Sequence, residues 1–279
     1  MNVGSWLKQA SASGVDRLDA ELILATVIQK ERIFLCSHPE YEISEQEKGE
    51  ASQMLARRLA HEPLAYILGY KEFYGRKFRV TPHTLIPRPE TEAIIRNIKS
   101  LFTSFPELNR SSPAILDVGT GSGCIAISLA LELPNSQVTA VDISAKALDC
   151  AKYNAMKLGA TNISIKKSNL FSATPEKYDI VVANLPYVDR TWPWLDHATL
   201  GYEPAQALFA NDEGLAEIKK LMLAVSAHLR QNGFVILEAD KSQHQKISDF
   251  VAENTDLVPI APDDSRSLVL IWQMSAPKH

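Results

Sequence analysis

The sequence lacks the features that usually mark membrane, secreted and metal-binding proteins. Its longest mostly apolar stretch, Cys124 to Leu131, is far too short to span a bilayer. Residues 1–6 do not combine a basic region with an apolar core, so no secretory signal is indicated. Cys36, Cys124 and Cys150 follow no zinc or redox spacing, and we interpret them as small buried residues. We therefore expect a cytoplasmic protein with no membrane partner and no metal.

Positive charge is also scarce, because 29 Lys and Arg stand against 33 Asp and Glu and give a net charge of −4. Proteins that cover nucleic acid usually present a broad basic surface, so direct nucleic acid binding is not expected. The sequence does have length and apolar content. Its 279 residues are 46% hydrophobic, which is enough for one large or two smaller domains with real cores. We expect a monomer.

The chain divides by pattern into three parts. Residues 1–72 show helical periodicity interrupted by prolines, which predicts a small helical bundle. Residues 73–90 begin with two short strands about a Gly-Arg turn and form a candidate hairpin linker. Residues 91–279 form the third part, in which strands and helices alternate from Pro113 onward.

Seven strands are predicted in this third part. Alternation with crossover helices predicts an α/β fold with a mostly parallel sheet. The last two strands are joined only by residues 261–266, which is too short for a parallel crossover, so the last strand should run antiparallel. The predicted strands are Ala114–Val118, Gln137–Val141, Ile163–Lys166, Tyr178–Ala183, Phe234–Glu238, Leu257–Ile260 and Ser267–Trp272.

A glycine-rich turn follows the first strand and indicates a nucleotide-like cofactor. Glycine lets the backbone approach a ligand closely where a helix begins. The pattern is Gly-x-Gly-x-Gly, which does not match a dinucleotide fingerprint because Cys124 stands at its third glycine position, and no P-loop lysine follows. The predicted cofactor-binding residues of this turn are Asp117, Gly119, Thr120, Gly121, Ser122 and Gly123.

Asp142 closes the second strand, where a carboxylate can accept hydrogen bonds from both ribose hydroxyls. Helix capping upstream of Ser144 is an equally plausible role for Asp142 taken alone. The whole arrangement fits an adenosine without phosphate. S-adenosylmethionine is such a ligand, and Asp117 could help to place its cationic methionine end. Asn169 and Leu170, after the third strand, are predicted to border the adenine, since an amide can both donate and accept.

The segment Asn184-Leu185-Pro186-Tyr187 ends the fourth strand. Open α/β sheets bind ligands beyond the carboxyl ends of their strands. Asn184 offers a side-chain carbonyl, and Pro186 favours an extended Leu185 whose backbone carbonyl is a second acceptor. Two converging acceptors fit an NH2 group, and Tyr187 offers a flat face for a planar amide or base. An ordinary strand-ending turn is the alternative.

These motifs resemble class I, S-adenosylmethionine-dependent N-methyltransferases, which have a Rossmann-like sheet. Ile86-Pro87-Arg88-Pro89-Glu90-Thr91-Glu92, Phe73-Tyr74-Gly75 and Tyr202-Glu203-Pro204 narrow the resemblance to the PrmC/HemK family, the release factor glutamine methyltransferases. From spacing alone, the first of these segments is typical of a helix N-terminus. The sequence has Leu185 where the family usually has proline, Asn169 where Asp is more usual, and Leu170 where an aromatic residue is frequent.

The resemblance implies a function and a partner. Members methylate the side-chain nitrogen of the glutamine in the Gly-Gly-Gln motif of class 1 peptide chain release factors. They use S-adenosyl-L-methionine and release S-adenosyl-L-homocysteine. Carried over, Asn184, Leu185, Pro186 and Tyr187 would be catalytic, with Asn184 also beside the cofactor. Our hypothesis is that residues 1–72 and the connection 188–212 together recognise the release factor.

Two alternatives remain open. Asn184-Leu185-Pro186-Tyr187 also resembles the rRNA adenine dimethyltransferases, so N6-adenine methylation of RNA or DNA has to be considered. Residues 188–212 form a long connection that could be a lid or a partner-binding surface, or a packed excursion of the chain.

Overall fold

The computed structural model describes residues 1–109, 112–262, 264 and 267–275. The chain forms two compact units, residues 1–70 with 196–202 and residues 71–195 with 203–279. The predicted limits of 1–72, 73–90 and 91–279 stay predictions. The connection 261–266 lies partly outside the described residues. None of the described helices is long and apolar enough to cross a membrane.

The first unit is helical around its own small core. Ser44 begins its longest helix with a capping box, in which the Ser44 Oγ accepts from the Glu47 N–H and the Glu47 carboxylate accepts from the Ser44 N–H. Apolar side chains such as Val3, Trp6 and Leu24 are buried inside the unit. Its helices are Val3–Ala12, Arg17–Val27, Arg32–Ser37, Glu45–Leu59, Leu64–Leu68 and His197–Leu200.

The second unit is built on a seven-stranded sheet. Strands β1 (Tyr70–Phe73) and β2 (Arg76–Arg79) form a separate hairpin before it. The sheet strands are β3 (Ala114–Val118), β4 (Gln137–Asp142), β5 (Ile163–Lys167), β6 (Tyr178–Ala183), β7 (Leu229–Glu238), β8 (Leu257–Ile260) and β9 (Val269–Met274). Their order is β5-β4-β3-β6-β7-β9-β8, with β9 antiparallel to both of its neighbours. The predicted α/β fold with an antiparallel last strand is confirmed.

Helices accompany the parallel strands, as crossover connections require. The central strands are buried, and Ile180, Val181 and Val182 of β6 have no exposed surface. Strands buried on both faces are largely apolar, which is why β6 is continuously apolar from Ile180 to Ala183. The helices of this unit are Glu92–Ser104, Cys124–Glu132, Ala145–Leu158, Ala205–Leu208, Ala216–Val225 and His244–Asn254.

The strand order reverses beside β3, and this places the candidate site. From β3 the chain adds β4 and β5 on one side and then returns to add β6 on the other. The last residues of β3 and β6, Val118 and Ala183, are paired neighbours. The turn after β3 and the segment after β6 therefore lie side by side at a topological switch point, where open α/β sheets bind ligands.

Several predicted elements differ from the structure at their ends: β4 and β5 are each one residue longer than predicted, and β9 spans Val269–Met274 rather than Ser267–Trp272. Strand β7 begins at Leu229 rather than Phe234, and its pairing with β6 shifts register between Tyr178 and Ile180. The polar residues at the start of β7 and the positive φ of Asn232 hide this part of the strand from an apolar pattern. The helix expected from about Leu215 to His228 is α-helical over Ala216–Val225 and continues as a 3-10 turn over Ser226–His228.

The interpretation of the cysteines as buried is wrong for Cys36, which is exposed, whereas Cys124 and Cys150 are buried.

Candidate active site

A cavity of about 710 Å³ opens at the carboxyl ends of the central strands. The structure brings most of the predicted site residues to its wall, whereas Asp117, Gly123 and Tyr187 are not part of the lining. Several residues of the segments before Glu92 and after Tyr202 also line it, among them Pro87, Arg88 and Thr91. The predicted site residues on the wall are Gly119, Thr120, Gly121, Ser122, Asp142, Asn169, Leu170, Asn184, Leu185 and Pro186.

The glycine turn forms one wall of the cavity. The amides of Gly119 and Thr120 both donate to the Val141 carbonyl at 2.9 Å, which ties the turn to the end of β4. Gly119 has a φ of +77°, and a Cβ there would lie 3.0 Å from the Leu185 Cδ2. A side chain at Gly119 would therefore push against the segment after β6, so the close approach of the two segments depends on glycine.

Asp117 lies beneath this turn, with no exposed surface. Its Oδ2 accepts from the Thr120 hydroxyl at 2.6 Å and from the Ala126 amide at 3.2 Å. Its Oδ1 has no partner among the described residues. Burial raises the pKa of Asp117 to about 7, and the hydrogen bond from Thr120 acts in the opposite direction. The carboxyl thus braces the turn from below, and its predicted role toward a cationic ligand stays a prediction.

Asp142 lies on the cavity wall at the end of β4. One carboxylate oxygen accepts from the Gly121 amide at 2.9 Å and the other from the Ser144 amide at 2.8 Å. The helix that follows is capped by Ser144, whose Oγ accepts from the Ala147 amide. Burial raises the pKa of Asp142. The carboxylate is held in place by backbone, and each oxygen keeps a lone pair for a ligand hydroxyl.

Asn169 and Leu170 form the edge of the cavity beyond β5. Leu170 has a φ of +47°, which is unusual for a residue with a branched side chain. The Ser168 hydroxyl donates to the Leu170 carbonyl at 2.8 Å, and the Asn169 amide donates to the Ser172 Oγ at 3.1 Å. These bonds hold the edge in shape, and the exposed Asn169 side chain is available to a ligand.

The Asn184 side chain is oriented by two neighbours. Its Nδ2 donates to the Glu238 Oε1 at 3.0 Å and to the Thr91 Oγ1 at 3.2 Å. No described residue donates to the Asn184 Oδ1 or to the Leu185 carbonyl. The site therefore offers two unused acceptors beside the glycine turn, which can receive the hydrogens of an NH2 group.

Tyr187 is anchored at both ends of the residue. Its hydroxyl donates to the Glu238 Oε1 at 3.2 Å, and its backbone carbonyl accepts from the Gln243 Nε2 at 2.8 Å. Burial is the main cause that raises the pKa of Tyr187, and the Glu238 charge adds to it. The ring is held against the core rather than on the cavity wall, and its predicted stacking role stays a prediction.

A buried carboxylate joins the segment before Glu92, which contributes Arg88 and Thr91 to the cavity wall, to the segment after Tyr202. Glu203, whose side chain is 1% exposed, pairs with the Arg88 Nη2 at 2.5 Å and accepts from the Ile86 amide at 3.0 Å. The segment Ile86–Glu92 and the later segment around Glu203 therefore form one structure. Thr91, which bonds to Asn184, belongs to the first of them.

Sequence reasoning did not single out Thr91, Glu203 or Glu238. Thr91 and Glu203 stand inside segments that carry the resemblance, but their partners are far away in the chain. Glu238 appeared only as the last residue of a predicted strand. The sequence does contain one signal for Glu238, since it is a carboxylate at the end of a continuously apolar strand. Burying a charge without a partner costs free energy, so a carboxylate in that position is expected to have polar partners in the fold.

Two protein-family models match the chain. Residues 5–69 match the PrmC N-terminal domain, and residues 98–196 match the methyltransferase small domain. A release factor glutamine methyltransferase of Koribacter versatilis is 38% identical over 258 residues, covering 91% of this chain and 90% of that protein. The chain belongs to the release factor glutamine methyltransferase family. The predicted family and the predicted enzyme class, a methyltransferase of this family, are confirmed.

A longer relative also matches nearly the whole chain. A bifunctional methyltransferase of Rickettsia bellii is 36% identical and covers 96% of this chain, but the chain spans only 52% of its length. Among solved structures, a methyltransferase of Pyrococcus furiosus has a TM-score of 0.54 at 19% identity, covering 81% of this chain and all of that one. At that identity the likeness concerns the fold alone.

Proposed function

We propose that this protein transfers a methyl group to the side-chain amide nitrogen of the glutamine in the Gly-Gly-Gln motif of class 1 peptide chain release factors. The observation that carries the proposal is the pair of unused acceptors, the Asn184 Oδ1 and the Leu185 carbonyl, beside the glycine turn. Relatives named release factor glutamine methyltransferase support the choice of substrate.

The cavity fits S-adenosyl-L-methionine, which supplies an electrophilic methyl group when bound. Its volume of about 710 Å³ falls within the usual range of small-molecule sites. Asp142 would accept from the ribose hydroxyls, and Asn169 and Leu170 would border the adenine. The wall also contains Arg88 and Lys220, but each is paired with a carboxylate, Glu203 and Glu217 respectively. A nucleoside without phosphate therefore suits the wall better than a nucleotide.

The chemistry depends on orientation. An amide nitrogen is a poor nucleophile because its lone pair is delocalised into the carbonyl. When the Asn184 Oδ1 and the Leu185 carbonyl accept the two N–H hydrogens, the glutamine nitrogen is held in one orientation, which gains from proximity. The same oxygens would stabilise the positive charge that develops on that nitrogen as the N–CH3 bond forms and the S–CH3 bond breaks, with S-adenosyl-L-homocysteine leaving and one N–H proton passing to water. Asn184 is thus an orienting group rather than a general base.

Leu185 serves this role in the proposal, although the resemblance to the family implies that proline is usual at this position. The contact requires only its backbone carbonyl, and its side chain is 7% exposed and packed in the core that includes Val118 and Ala183. The following Pro186 still restricts the backbone of Leu185. The proposal further includes a cytoplasmic monomer that acts on a protein and does not bind nucleic acid directly.

The test compares the wild type with Asn184→Ala on two substrates. Labelled S-adenosylmethionine is incubated separately with release factor and with rRNA, and the methyl group is located by mass spectrometry. We expect the label on the Gly-Gly-Gln glutamine, and a loss of ~10²-fold or more in turnover for Asn184→Ala with cofactor affinity largely kept. Label on rRNA adenine, or near-normal turnover of the variant, would contradict the proposal.

A further inference from the structure

Glu238 is a buried carboxylate that no part of the proposed reaction yet uses. It is the last residue of β7 and is 1% exposed. Its Oε1 accepts from both the Asn184 Nδ2, at 3.0 Å, and the Tyr187 hydroxyl, at 3.2 Å. Its Oε2 has no hydrogen-bond partner among the described residues. Burying a carboxylate that has one oxygen without a hydrogen bond costs free energy, so the hydrogen bonds to its other oxygen call for a functional explanation.

The contacts of Glu238 determine which way the Asn184 amide points. The oxygen and nitrogen of an asparagine side chain have nearly the same shape, so only hydrogen-bond partners distinguish its two orientations. One N–H of Asn184 goes to Glu238 and the other contacts the Thr91 Oγ1. Turning the amide over would place its oxygen against the Glu238 Oε1, which cannot donate to it. The amide oxygen is therefore left for the cavity.

We propose that Glu238 is the positioning residue that makes this site selective for an NH2 group, and hence for glutamine over glutamate. The inference rests on the proposed function. With the Asn184 nitrogen held by Glu238, the cavity presents two acceptors, the Asn184 Oδ1 and the Leu185 carbonyl. The NH2 of glutamine can satisfy both, whereas a glutamate carboxylate would bring only acceptors against them.

The same hydrogen bond also strengthens the Asn184 oxygen as an acceptor. Hydrogen bonds in series polarise one another, so a carboxylate that accepts from the Asn184 nitrogen increases the electron density on its oxygen. That oxygen receives the N–H of the substrate nitrogen, where positive charge develops during transfer. Glu238 therefore acts through Asn184 and does not itself touch the substrate.

Binding measurements test the selectivity without relying on turnover. The affinity of a release factor with its native Gly-Gly-Gln loop is compared with that of the same protein carrying Gly-Gly-Glu, by calorimetry. We expect the wild type to prefer glutamine by roughly 10-fold or more, because a site with two acceptors leaves glutamate unmatched. Glu238→Gln keeps an acceptor and should keep the preference. Glu238→Leu frees the Asn184 amide to turn, and the preference should fall to about 1.

Turnover supplies a second, independent test. Glu238→Gln loses the charge but keeps the shape, and we expect turnover to fall roughly 3- to 10-fold with the affinity for S-adenosylmethionine unchanged. In an Asn184→Ala background the same change should have no further effect, because Glu238 then has no amide to orient. This double-mutant cycle decides the matter even if Glu238→Leu does not fold.

Asp179→Asn is the matched control. Asp179 lies at the opposite end of β6, where it accepts from the Ala114 amide and pairs with Arg230. Asp179→Asn removes one negative charge from the same sheet without touching Asn184. It should change neither the glutamine preference nor the coupling measured in the double-mutant cycle. Failure of the wild type to methylate release factor would refute the proposed function. Two results would overturn this inference alone if the wild type does methylate release factor. One is that Glu238→Leu keeps the glutamine preference, and the other is that the effects of Glu238→Gln and Asn184→Ala on turnover add independently.

Discussion

Gly214 lies behind the Tyr187 backbone, and replacing it tests how that backbone is held. Asp212, Glu213 and Gly214 have successive φ values of +57°, +54° and +85°. A Cβ on Gly214 would lie 2.0 Å from the Tyr187 carbonyl oxygen and 2.6 Å from the Gln243 Nε2. Since neither distance is tolerable, Gly214→Ala must displace the backbone after β6 or the turn itself.

The magnitude follows from two separate costs. Alanine in the left-handed region costs about 1 to 2 kcal/mol by itself. The displacement would also break the bonds of the buried Gln243 Nε2 to the Tyr187 and Glu213 carbonyls, at 2.8 and 2.9 Å. Each such bond contributes about 1 kcal/mol. We therefore expect Gly214→Ala to lower the free energy of unfolding by about 3 to 4 kcal/mol.

Gly159 provides a control with the same backbone strain and no clash. Its φ is +73°, and no atom of the described residues lies within 4 Å of a Cβ placed there. Gly159→Ala should therefore cost only the conformational part, about 1 to 2 kcal/mol. Urea unfolding of both variants measures the two free energies, and a methyl-transfer assay measures turnover. Equal losses of stability in the two variants, with Gly214→Ala keeping wild-type turnover, would refute the reasoning.

Two further predictions concern buried carboxyl groups. Glu203→Ala removes the acceptor of the Arg88 guanidinium and of the Ile86 amide, so the free energy of unfolding, measured in urea, should fall by about 3 to 5 kcal/mol. Lys48→Ala, which breaks the exposed ion pair with Glu45, should lower it by less than about 0.5 kcal/mol. Similar losses in the two variants would contradict the role assigned to Glu203. Asp117 has a folded pKa of about 7 against 3.8 for the free group, so it stabilises the fold below about pH 4 and loses that contribution as the pH rises through 7. Asp117→Asn should flatten the dependence of the unfolding free energy on pH in that window, and an unchanged slope would contradict the prediction.

The sequence was sufficient for the sheet because local pattern and global burial agree there. The bounds of β3 and β6, predicted as Ala114–Val118 and Tyr178–Ala183, match the structure, since central strands buried on both faces are mostly apolar. The proximity of the glycine turn to Asn184 also followed, because both segments leave parallel strands at the same edge. The functional roles of these residues stay predictions.

Other features of the site depend on contacts between residues that are far apart in the sequence, and no local sequence pattern predicts such contacts. Glu238 reaches Asn184 only because β7 pairs with β6, with Leu237 opposite Ala183. The left-handed turn at Gly214 has its cause in a carbonyl 27 positions away in the sequence, that of Tyr187. Strand β7 begins at Leu229, which pairs with Tyr178, and the polar residues that follow it lie at a register shift, so an apolar pattern begins only at Phe234.

The Glu203 contact has a consequence for hydrogen exchange. The Ile86 amide is protected by a side chain 117 positions along the chain and not by a strand or helix ladder. Its exchange rate should therefore report one event, the separation of Ile86 from Glu203 next to the cavity-lining residues Pro87 and Arg88, while neighbouring ladders stay closed. The exchange of a single backbone amide thus measures how often this contact beside the cavity wall breaks, and a ligand bound against that wall should slow it.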